Sequence, residues 1–583
     1  MTTALDTRPI TAEQPAEPAV PVRPIDVGPG TIAGPGRRWP GALLVLVVAG
    51  VSGWAFTSGI STPWPWSDEG ATYLALHRSY AELLVLYRGP DAPLVPYYLL
   101  VKAWTDTLQS VWPLLSTLTA ARLLSAAAGC LGVVLLYALV TRNAGRLAGL
   151  LSSLLLVSLP GYDRLAQEGR PYTLLALAAV ASWLLWDRWL RPGVQPGLWS
   201  AEPKDAPPGN RTRWRALPAG LAYLLSLAAL GMIHTFGLFQ WPAQLVATLG
   251  TKPGRSWRRL GAFGLTCVLF VVAAFLVAGQ TLASVSHGTG SLAPDAARVV
   301  DLATSATQAT SGAFLSTSPA VIAGTLALAI VGVIGNRRTR SFAVAMLVWL
   351  VVPLAMELAV AALRTNLFRS RYWVADLPPL AALAGLGLMI VAKAVNGLVV
   401  RLFRSVGSWR PVVTGARVVA VSAIVAGALA LQVSLQAPEQ IHLRGLHGHH
   451  GENLAGVRLI VDETRAQYPG LSVGLSSGTA SGILGAAWPD LEAQNPLRRF
   501  DPSVPTVFTV PSSQAAVRES IRHSQRVLWI FRGSLDAAAA ADVIPHGLAG
   551  LRMRVQWAVP AGSDWTAILL KPEVPIPAAA APG

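Results

Sequence analysis

The stretch GALLVLVVAGVSGWAFTSGI, residues 41–60, runs directly into STPWPWSDEG, residues 61–70. The first part is twenty residues long and carries no charge. An α-helix needs about 20 apolar residues to cross a bilayer core of about 30 Å, so this part predicts a membrane helix. The second part ends in two adjacent carboxylates, Asp68 and Glu69, which we then expect just outside the bilayer.

The whole chain has the composition of a membrane protein. Hydrophobic residues make up 52% of its 583 residues, only 13% are charged, and the mean hydropathy is +0.47. Soluble globular proteins carry about 25% charged residues. The net charge of +16 would suggest nucleic acid as the partner of a soluble protein, but here the basic residues cluster between apolar runs. We therefore expect membrane lipids around the chain and no nucleic-acid partner.

Apolar runs recur along most of the chain. Eleven of them are predicted to be membrane helices, because each approaches the length that spans the hydrocarbon core. Their predicted bounds are residues 40–60, 119–140, 145–160, 171–190, 216–233, 236–250, 260–281, 318–335, 341–362, 372–393 and 413–433. The pattern is typical of a polytopic α-helical membrane protein.

Basic loops alternate with poorly basic loops between these runs. The positive-inside rule assigns the basic loops to the cytoplasm, which gives one consistent path with the N-terminus inside. We therefore predict a multi-pass protein of the cytoplasmic membrane. Its predicted outer side holds residues 61–118, 163–170, His234, residues 282–317 and 364–371, and all of the chain after about residue 434.

The chain divides into parts of different composition. The predicted parts are a disordered cytoplasmic tail (1–38), a membrane domain (39–433) with a long outer loop (61–118), an extracytoplasmic domain (434–574) and a second disordered tail (575–583). Short apolar segments alternate with amphipathic ones in the extracytoplasmic part, which predicts a small α/β domain with residues 504–510 as one strand. No glycine-rich phosphate loop opens a helix there, so the sequence assigns it no cofactor.

Asp68 and Glu69 have two interpretations. Ser67 can cap a helix over residues 71–87, and acids are favoured in a first helical turn by the helix dipole. The alternative is catalysis, with Asp68 as general base and Glu69 as a supporting or orienting acid, or the reverse. Adjacent helical residues point about 100° apart, so only one of the two carboxylates faces a reacting atom directly.

Further polar residues lie on the predicted outer side. Glu168, Arg170 and Tyr172 come where the fourth apolar run begins, either as a surface ion pair or with Arg170 as a phosphate ligand. His234 ends the fifth run, where a structural role and a substrate contact are both open.

Three arginines, Arg364, Arg369 and Arg371, fall in one short outer loop together with Tyr372. The positive-inside rule disfavours cations on this side, which indicates an anionic partner. The alternative is that Glu357, inside the preceding run, neutralises one of them.

Two other groups are given structural interpretations. Asp91 and Lys102, which flank Tyr97 and Tyr98, are assigned to a solvated face. The cluster of His447, His449 and His450 lies in a glycine-rich setting and is assigned to a flexible loop, so no metal ligands are predicted.

Taken together, these motifs resemble the GT-C membrane glycosyltransferases. The similarity is carried by the outer Asp68-Glu69 after the first helix, by the segment from Pro93 to Tyr97-Tyr98, by Gln167-Glu168-x-Arg170-x-Tyr172, and by Arg371-Tyr372 followed by Pro378. It is greatest to the protein-mannosyltransferase-like and aminoarabinose-transferase-like branch, the glycosyltransferase family 39 type, which is abundant in actinobacteria. The resemblance covers about residues 40–433.

The resemblance implies transfer of a sugar, with inversion, from a polyprenyl-phosphate donor to a glycan, lipid or protein acceptor outside the membrane. Asp68 then matches the family's catalytic base and Glu69 the residue beside it, while Arg170, Arg369 and Arg371 hold the donor phosphate. Glu168, Tyr172, His234 and Tyr372 line the substrate pocket. One departure is that Asp91 stands where the family often has histidine.

Alternatives stay open at this level. The second hypothesis is a transporter or flippase of a lipid-linked or anionic substrate. Such folds often contain internal repeats, but the two halves of this sequence show none. A nonenzymatic envelope-assembly protein is the third. The sequence leaves the sugar open between a hexose, such as mannose, and a pentose, and it leaves divalent-metal dependence open as well.

Overall fold

The computed structural model describes most of the chain in several segments. These are residues 39–190, 211–250, 261, 264, 268, 318–335, 337–363, 370–402, 410–446, 453–493, 495–522, 524–536, 539, 552–562 and 564–576. The predicted tail 1–38, residues 577–583 of the second predicted tail, the loop 282–317, Arg364, Arg369 and the three clustered histidines lie outside the described residues.

Residues 39–443, wherever these are described, consist of helices and the short connections between them. They are α1 (Trp39–Thr57), α2 (Ser67–Leu76), α3 (Tyr80–Val85), α4 (Val95–Val111), α5 (Thr117–Ala144), α6 (Arg146–Ser158), α7 (Pro160–Ala166), α8 (Tyr172–Leu190), α9 (Arg211–Ile233), α10 (Gln240–Leu249), α11 (Pro319–Ile334), α12 (Arg340–Leu363), α13 (Leu377–Leu402) and α14 (Arg410–Leu443). Short 3₁₀ turns occupy Leu86–Arg88, Ala92–Leu94, Thr235–Phe239 and Ser370–Asp376.

Helical structure coincides with ten of the eleven predicted apolar runs, and the remaining run, 260–281, lies almost wholly outside the described residues. Three described helical stretches are long and apolar enough to cross a membrane by themselves. These are Thr117–Ala144, Arg340–Ala359 and Arg371–Leu398, and shorter apolar helices accompany them. The prediction of a mostly helical, membrane-type chain is confirmed at this level.

Leucine, alanine and aromatic side chains form the core between these helices. Trp183 on α8 stacks on Trp349 of α12 with ring centroids 5.0 Å apart, and both side chains are fully buried. The buried indole N–H of Trp183 donates to Gln240 Oε1 at 3.1 Å, so burial leaves this donor satisfied. An ion pair between Arg142 and Asp187, 2.7 Å apart, joins α5 to α8. It lies at the ends of these two helices that are farther from Asp68.

The outer loop differs from the prediction of one helix over residues 71–87. Helix α2 begins at Ser67 and ends at Leu76, and α3 starts anew after Ser79, whose side chain forms a capping box with Glu82. Ser67 is the first helical residue, and the N-cap residue, Trp66, makes no side-chain cap hydrogen bond, so the predicted capping role of Ser67 is wrong. The capping box at Ser79 supplies the physical reason for the break, because it satisfies the orphan amides of a new helix start.

The described residues after α14 form a mixed sheet with helices. The elements are α15 (Ala455–Gln467), β1 (Ser472–Leu475), α16 (Gly478–Ala487), α17 (Pro489–Ala493), β2 (Arg498–Arg499), β3 (Val510–Pro511), α18 (Gln514–Ile521), β4 (Val527–Arg532), β5 (Met553–Pro560) and β6 (Trp565–Pro572). The four-stranded sheet has the order β1-β4-β6-β5, with β1 parallel to β4 and the other pairs antiparallel. We call residues 453–576 the C-terminal unit.

The predicted strand over residues 504–510 is wrong except at its end, where Val510–Pro511 pairs with Arg498–Arg499. Its backbone groups bond to the outer loop instead of to a neighbouring strand. The amide of Val507 donates to Asp91, and the carbonyl of Thr506 accepts from Arg78. The segment therefore joins the C-terminal unit to the outer loop.

Candidate active site

Asp68 lies in the first turn of α2, beside the N-terminal ends of α5 and α8. Its carboxylate oxygen Oδ2 lies 3.0 Å from Arg371 Nη2 and 3.8 Å from Arg170 Nη2, and it accepts a hydrogen bond of 3.3 Å from the hydroxyl of Tyr172. The side chain is 25% exposed, which leaves one side of the carboxylate open. This carboxylate therefore brings together Arg170 and Arg371, which follow Asp68 by more than 100 and more than 300 residues in the sequence.

Arg170 is held by two groups of α2, one from the backbone and one from a side chain. Its Nη1 donates to the carbonyl oxygen of Asp68 at 3.1 Å and to Thr72 Oγ1 at 3.2 Å. Burial alone would lower the pKa of Arg170, but the charge of Asp68 and the neighbouring tyrosines outweigh burial and raise that pKa. The guanidinium is therefore a permanent, oriented cation.

Arg371 lies among aromatic rings. Its guanidinium carbon is 4.9 Å from the ring centre of Trp66, 5.9 Å from that of Tyr172 and 5.8 Å from that of Tyr372. A planar cation is stabilised on aromatic faces, and such contacts restrict its orientation. The side chain is 21% exposed, so it remains accessible from outside.

His234 packs against the aromatic rings of this group. Its ring centre is 4.8 Å from that of Tyr372 and 6.3 Å from that of Tyr172. Burial, followed by the charges of Arg170 and Arg371, lowers the pKa of His234 to about 3. Its Nδ1 accepts from the Phe236 amide at 3.3 Å, so the neutral ring carries its hydrogen on Nε2.

Glu69 points away from Asp68 into the interior. Both of its oxygens bind Arg122 on α5, at 2.8 and 2.7 Å, and its Oε1 also accepts from the Gly169 amide at 2.8 Å. Neither Glu69 nor Arg122 has any exposed surface. This carboxylate is therefore in a position to orient α2 and the start of α8, and it has no access to a substrate.

The other predicted site residues fall into three cases. Tyr172 and Tyr372 belong to the group around Asp68 and Arg371. Glu168 is fully buried and pairs with Arg164 at 3.6 Å, one helical turn earlier. Arg369 lies outside the described residues.

The predicted solvated face around Asp91 needs correction. Asp91 was assigned to a solvated face, yet it bonds the Val507 amide at 3.1 Å, and burial raises its pKa. Tyr97 and Tyr98 are fully buried beside it. The face is buried because the C-terminal unit covers it.

Sequence reasoning missed Arg122, Thr72 and Trp66. Arg122 carried a usable signal, because a lone arginine within an apolar run is costly unless it is paired. Thr72 and Trp66 carried none beyond their nearness to Asp68. No group of three or more His, Cys, Asp or Glu side chains suited to a metal occurs within the segments that the structure describes.

Comparison with solved structures identifies the fold. ArnT from Cupriavidus metallidurans bound to undecaprenyl phosphate matches with a TM-score of 0.52 at 15% identity, over 91% of this chain and 97% of that chain. Its apo form matches with a TM-score of 0.53 at 14% identity over the same shares. The GT-C-type fold predicted from the motifs is thereby confirmed.

A weaker likeness is to the archaeal oligosaccharyltransferase AglB from Archaeoglobus fulgidus, in complex with an inhibitory peptide and a dolichol-phosphate. Its TM-score is 0.45 at 12% identity, over 85% of this chain and 69% of that chain. No protein-family model matches the sequence, and no curated protein matches it significantly.

Proposed function

We propose that the protein is a membrane glycosyltransferase that moves a sugar from a polyprenyl-phosphate donor to an acceptor outside the cytoplasmic membrane, with inversion. The observation that carries the proposal is the meeting of Asp68 with Arg170 and Arg371 at a partly exposed place beside the helix ends. The shared fold with ArnT, which was solved with undecaprenyl phosphate, supports the same class of donor.

The charges suit a leaving phosphate. Two guanidiniums face one carboxylate, which leaves one positive charge in excess at the site. A guanidinium binds phosphate oxygens through two parallel N–H groups and stabilises the charge that develops as the sugar departs. Arg170 and Arg371 are therefore assigned to the donor phosphate, and Arg369 keeps its predicted role there as part of the proposal.

The reaction is a single displacement. An acceptor hydroxyl oxygen forms a bond to the anomeric carbon while the bond from that carbon to the phosphate oxygen breaks. The bonding electrons leave with the phosphate, and the hydroxyl proton passes to Asp68. No covalent enzyme nucleophile is needed, and the backside attack inverts the anomeric centre.

In the free site the proposed base is paired with a cation. Arg371 Nη2 lies 3.0 Å from Oδ2 of Asp68. A donor phosphate competes for that guanidinium, and its binding releases the carboxylate toward the acceptor. Donor binding thus precedes activation of the base.

The setting also favours a lipid-borne donor. The site lies at the ends of α2, α8 and the turn before α13, next to helices of membrane-spanning character. A polyprenyl tail remains in the bilayer while its phosphate reaches the helix ends. The basic loops favour an outer location for this end by the positive-inside rule, and the proposal leaves the acceptor open between glycan, lipid and protein and the sugar open between hexose and pentose.

The test is transfer of label from radiolabelled polyprenyl-phosphate sugars to a membrane extract by the purified protein in liposomes. Asp68→Asn is expected to lower the rate by about 10²- to 10⁴-fold, the usual contribution of a general base. The control is Asp106→Asn, because Asp106 is 46% exposed and pairs with Lys102 on the surface of α4. Full activity of Asp68→Asn would overturn the mechanism, and lipid flipping without transfer would favour a flippase.

A further inference from the structure

The helix that carries Asp68 touches the C-terminal unit backbone to backbone. Gly70 on α2 crosses Gly482 on α16 so closely that a Cβ atom on Gly70 would lie 2.6 Å from the Gly482 carbonyl carbon. A Cβ atom on Gly482 would in turn lie 2.7 Å from the Gly70 carbonyl carbon. Only glycine at both positions permits this approach.

The crossing continues along both helices. A Cβ atom at Gly485, one turn after Gly482, would meet the Tyr73 ring at 2.9 Å and the Glu492 side chain at 3.0 Å. Tyr73 is only 3% exposed. Three glycines and a tyrosine thus form a continuous, tightly packed contact between α2 and α16.

A second attachment lies one turn further on. The fully buried Arg78 donates to the Thr506 carbonyl and places its guanidinium 4.5 Å from the ring centre of Phe500. Asp91 accepts from the Val507 amide at 3.1 Å. The outer loop is therefore fixed to the C-terminal unit at two places.

Three successive residues of α2 face three different parts of the molecule. Asp68 faces Arg170 and Arg371, Glu69 binds Arg122 on α5, and Gly70 packs on Gly482. Successive helical residues point about 100° apart, so these directions cover the whole circumference of the helix. A change on the Gly70 side must move the Asp68 side, because both belong to one rigid turn.

We propose that α16 of the C-terminal unit is a positioning element of the transfer reaction, in which Gly482 holds Gly70, and with it the Asp68 carboxylate, in place relative to Arg170 and Arg371. The proposal rests on the function proposed above. It gives the C-terminal unit a part in the chemistry in addition to any role in acceptor binding. Gly70 and Gly482 act through Asp68 and touch no reacting atom.

The expected signature is a separation of rate from binding. A bulkier residue at position 482 pushes α2 away from α16 and displaces Asp68, and a misplacement of about 1 Å at a reacting group costs about 10²-fold in rate. Arg371 packs on Tyr172 and Tyr372, which lie outside α2, so its part of the proposed donor site changes less. We expect kcat to fall while the KM for the donor stays within about threefold.

The experiment compares Gly482→Val and Gly482→Ala in the full-length protein, using the transfer assay with polyprenyl-phosphate sugar. Gly324→Val is the matched control, because a Cβ atom at Gly324 on α11 has no neighbour within 4 Å. We expect Gly482→Ala to lower kcat about 10-fold and Gly482→Val about 10²-fold, with Gly324→Val unchanged. Gly482→Ala decides the matter if Gly482→Val is not recovered folded.

A second control separates positioning from damage to the C-terminal unit. A Cβ atom on Gly456 would lie 2.6 Å from the Ala561 carbonyl oxygen, inside the unit and away from α2. Gly456→Ala is expected to lower the thermal stability and to leave kcat near that of the wild type.

Wild-type kcat in Gly482→Ala, or an equal loss in Gly456→Ala, would overturn the positioning role while leaving the glycosyltransferase intact. Absence of transfer by the wild-type protein would instead remove the function on which the proposal rests.

Discussion

At the scale of single residues, Asp68 and Glu69 are neighbours with different surroundings. Asp68 is 25% exposed and its carboxylate lies beside Arg170 and Arg371, whereas Glu69 is fully buried against Arg122. The sequence predicted that only one of them faces a reacting atom, and it predicted the meeting of Asp68 with Arg170, Arg371 and Tyr172 from their common side. It did not predict the partner of Glu69, because Arg122 lies 53 residues away within a predicted membrane span.

This difference predicts that two conservative changes destabilise the protein to different extents. Glu69→Gln leaves the Arg122 guanidinium buried without its counter-charge, which costs about 3–5 kcal/mol in comparable buried pairs. Asp68→Asn removes a partly exposed carboxylate and costs much less stability. Thermal unfolding in detergent should show a large fall in Tm for Glu69→Gln and a small one for Asp68→Asn. Equal shifts would contradict the orienting role of Glu69.

Arg371 is expected to contribute mainly to donor binding. Replacement by glutamine removes a charge-assisted contact to phosphate worth about 1.5–3 kcal/mol, or about 10- to 100-fold in donor KM. Lysine keeps the charge and loses the planar fork and the aromatic stacking, so Arg371→Lys should give an intermediate KM. Arg458→Gln is the control, because Arg458 pairs with Asp462 and Asp490 away from the site. An unchanged donor KM in Arg371→Gln would exclude the phosphate role.

His234 predicts a particular pH dependence. Its pKa is lowered to about 3 in the folded protein, against about 6.5 in an unfolded chain, so the unfolded state binds more protons between these values. The stability linked to His234 is present above about pH 6.5 and is lost as the pH falls toward 3. Tm should therefore fall less between pH 7 and pH 5 in His234→Gln than in the wild type. The transfer rate should fall at low pH in His234→Gln as it does in the wild type, because His234 stays neutral in that pH range.

At the scale of elements, helices were predicted well and the outer loop was not. The length of an apolar run is enough to predict a helix. Ten of the eleven predicted runs accordingly coincide with described helical structure. The segment 504–510 has the apolar composition of a strand, but its hydrogen-bonding partners come from Arg78 and Asp91, over 400 residues earlier. A pattern within one segment carries no information about such distant partners.

The bond between Asp91 and Val507 predicts a local effect. Asp91→Ala removes the acceptor of the Val507 amide, which should then exchange its hydrogen faster, together with its neighbours in 504–508. Exchange measured by mass spectrometry on the full-length protein checks this. Asp106→Ala, on the exposed side of α4, should leave the exchange of this segment unchanged. Unaltered protection in Asp91→Ala would mean that the attachment does not depend on this bond.

The distribution of charges over the molecule predicts one orientation in the membrane. Arg170 and Arg371 lie at the helix ends opposite to Arg142 and to the basic loop at Arg337–Arg340. The positive-inside rule predicts a cytoplasmic location for this loop, and therefore an outer location for the candidate site and for the C-terminal unit attached to it. The proposed function requires this outer location, because its acceptor lies outside the membrane.

Cysteine labelling in intact cells tests this orientation. In a background with Cys130 and Cys267 replaced by serine, a cysteine at the exposed position Ser503 should react with a membrane-impermeant maleimide added from outside. A cysteine at the exposed position Arg338 should react only after the membrane is opened, because the positive-inside rule predicts a cytoplasmic location for the basic loop. The reverse pattern would place Asp68 on the cytosolic side, where an acceptor outside the membrane cannot reach it, and the proposed reaction would have to be abandoned.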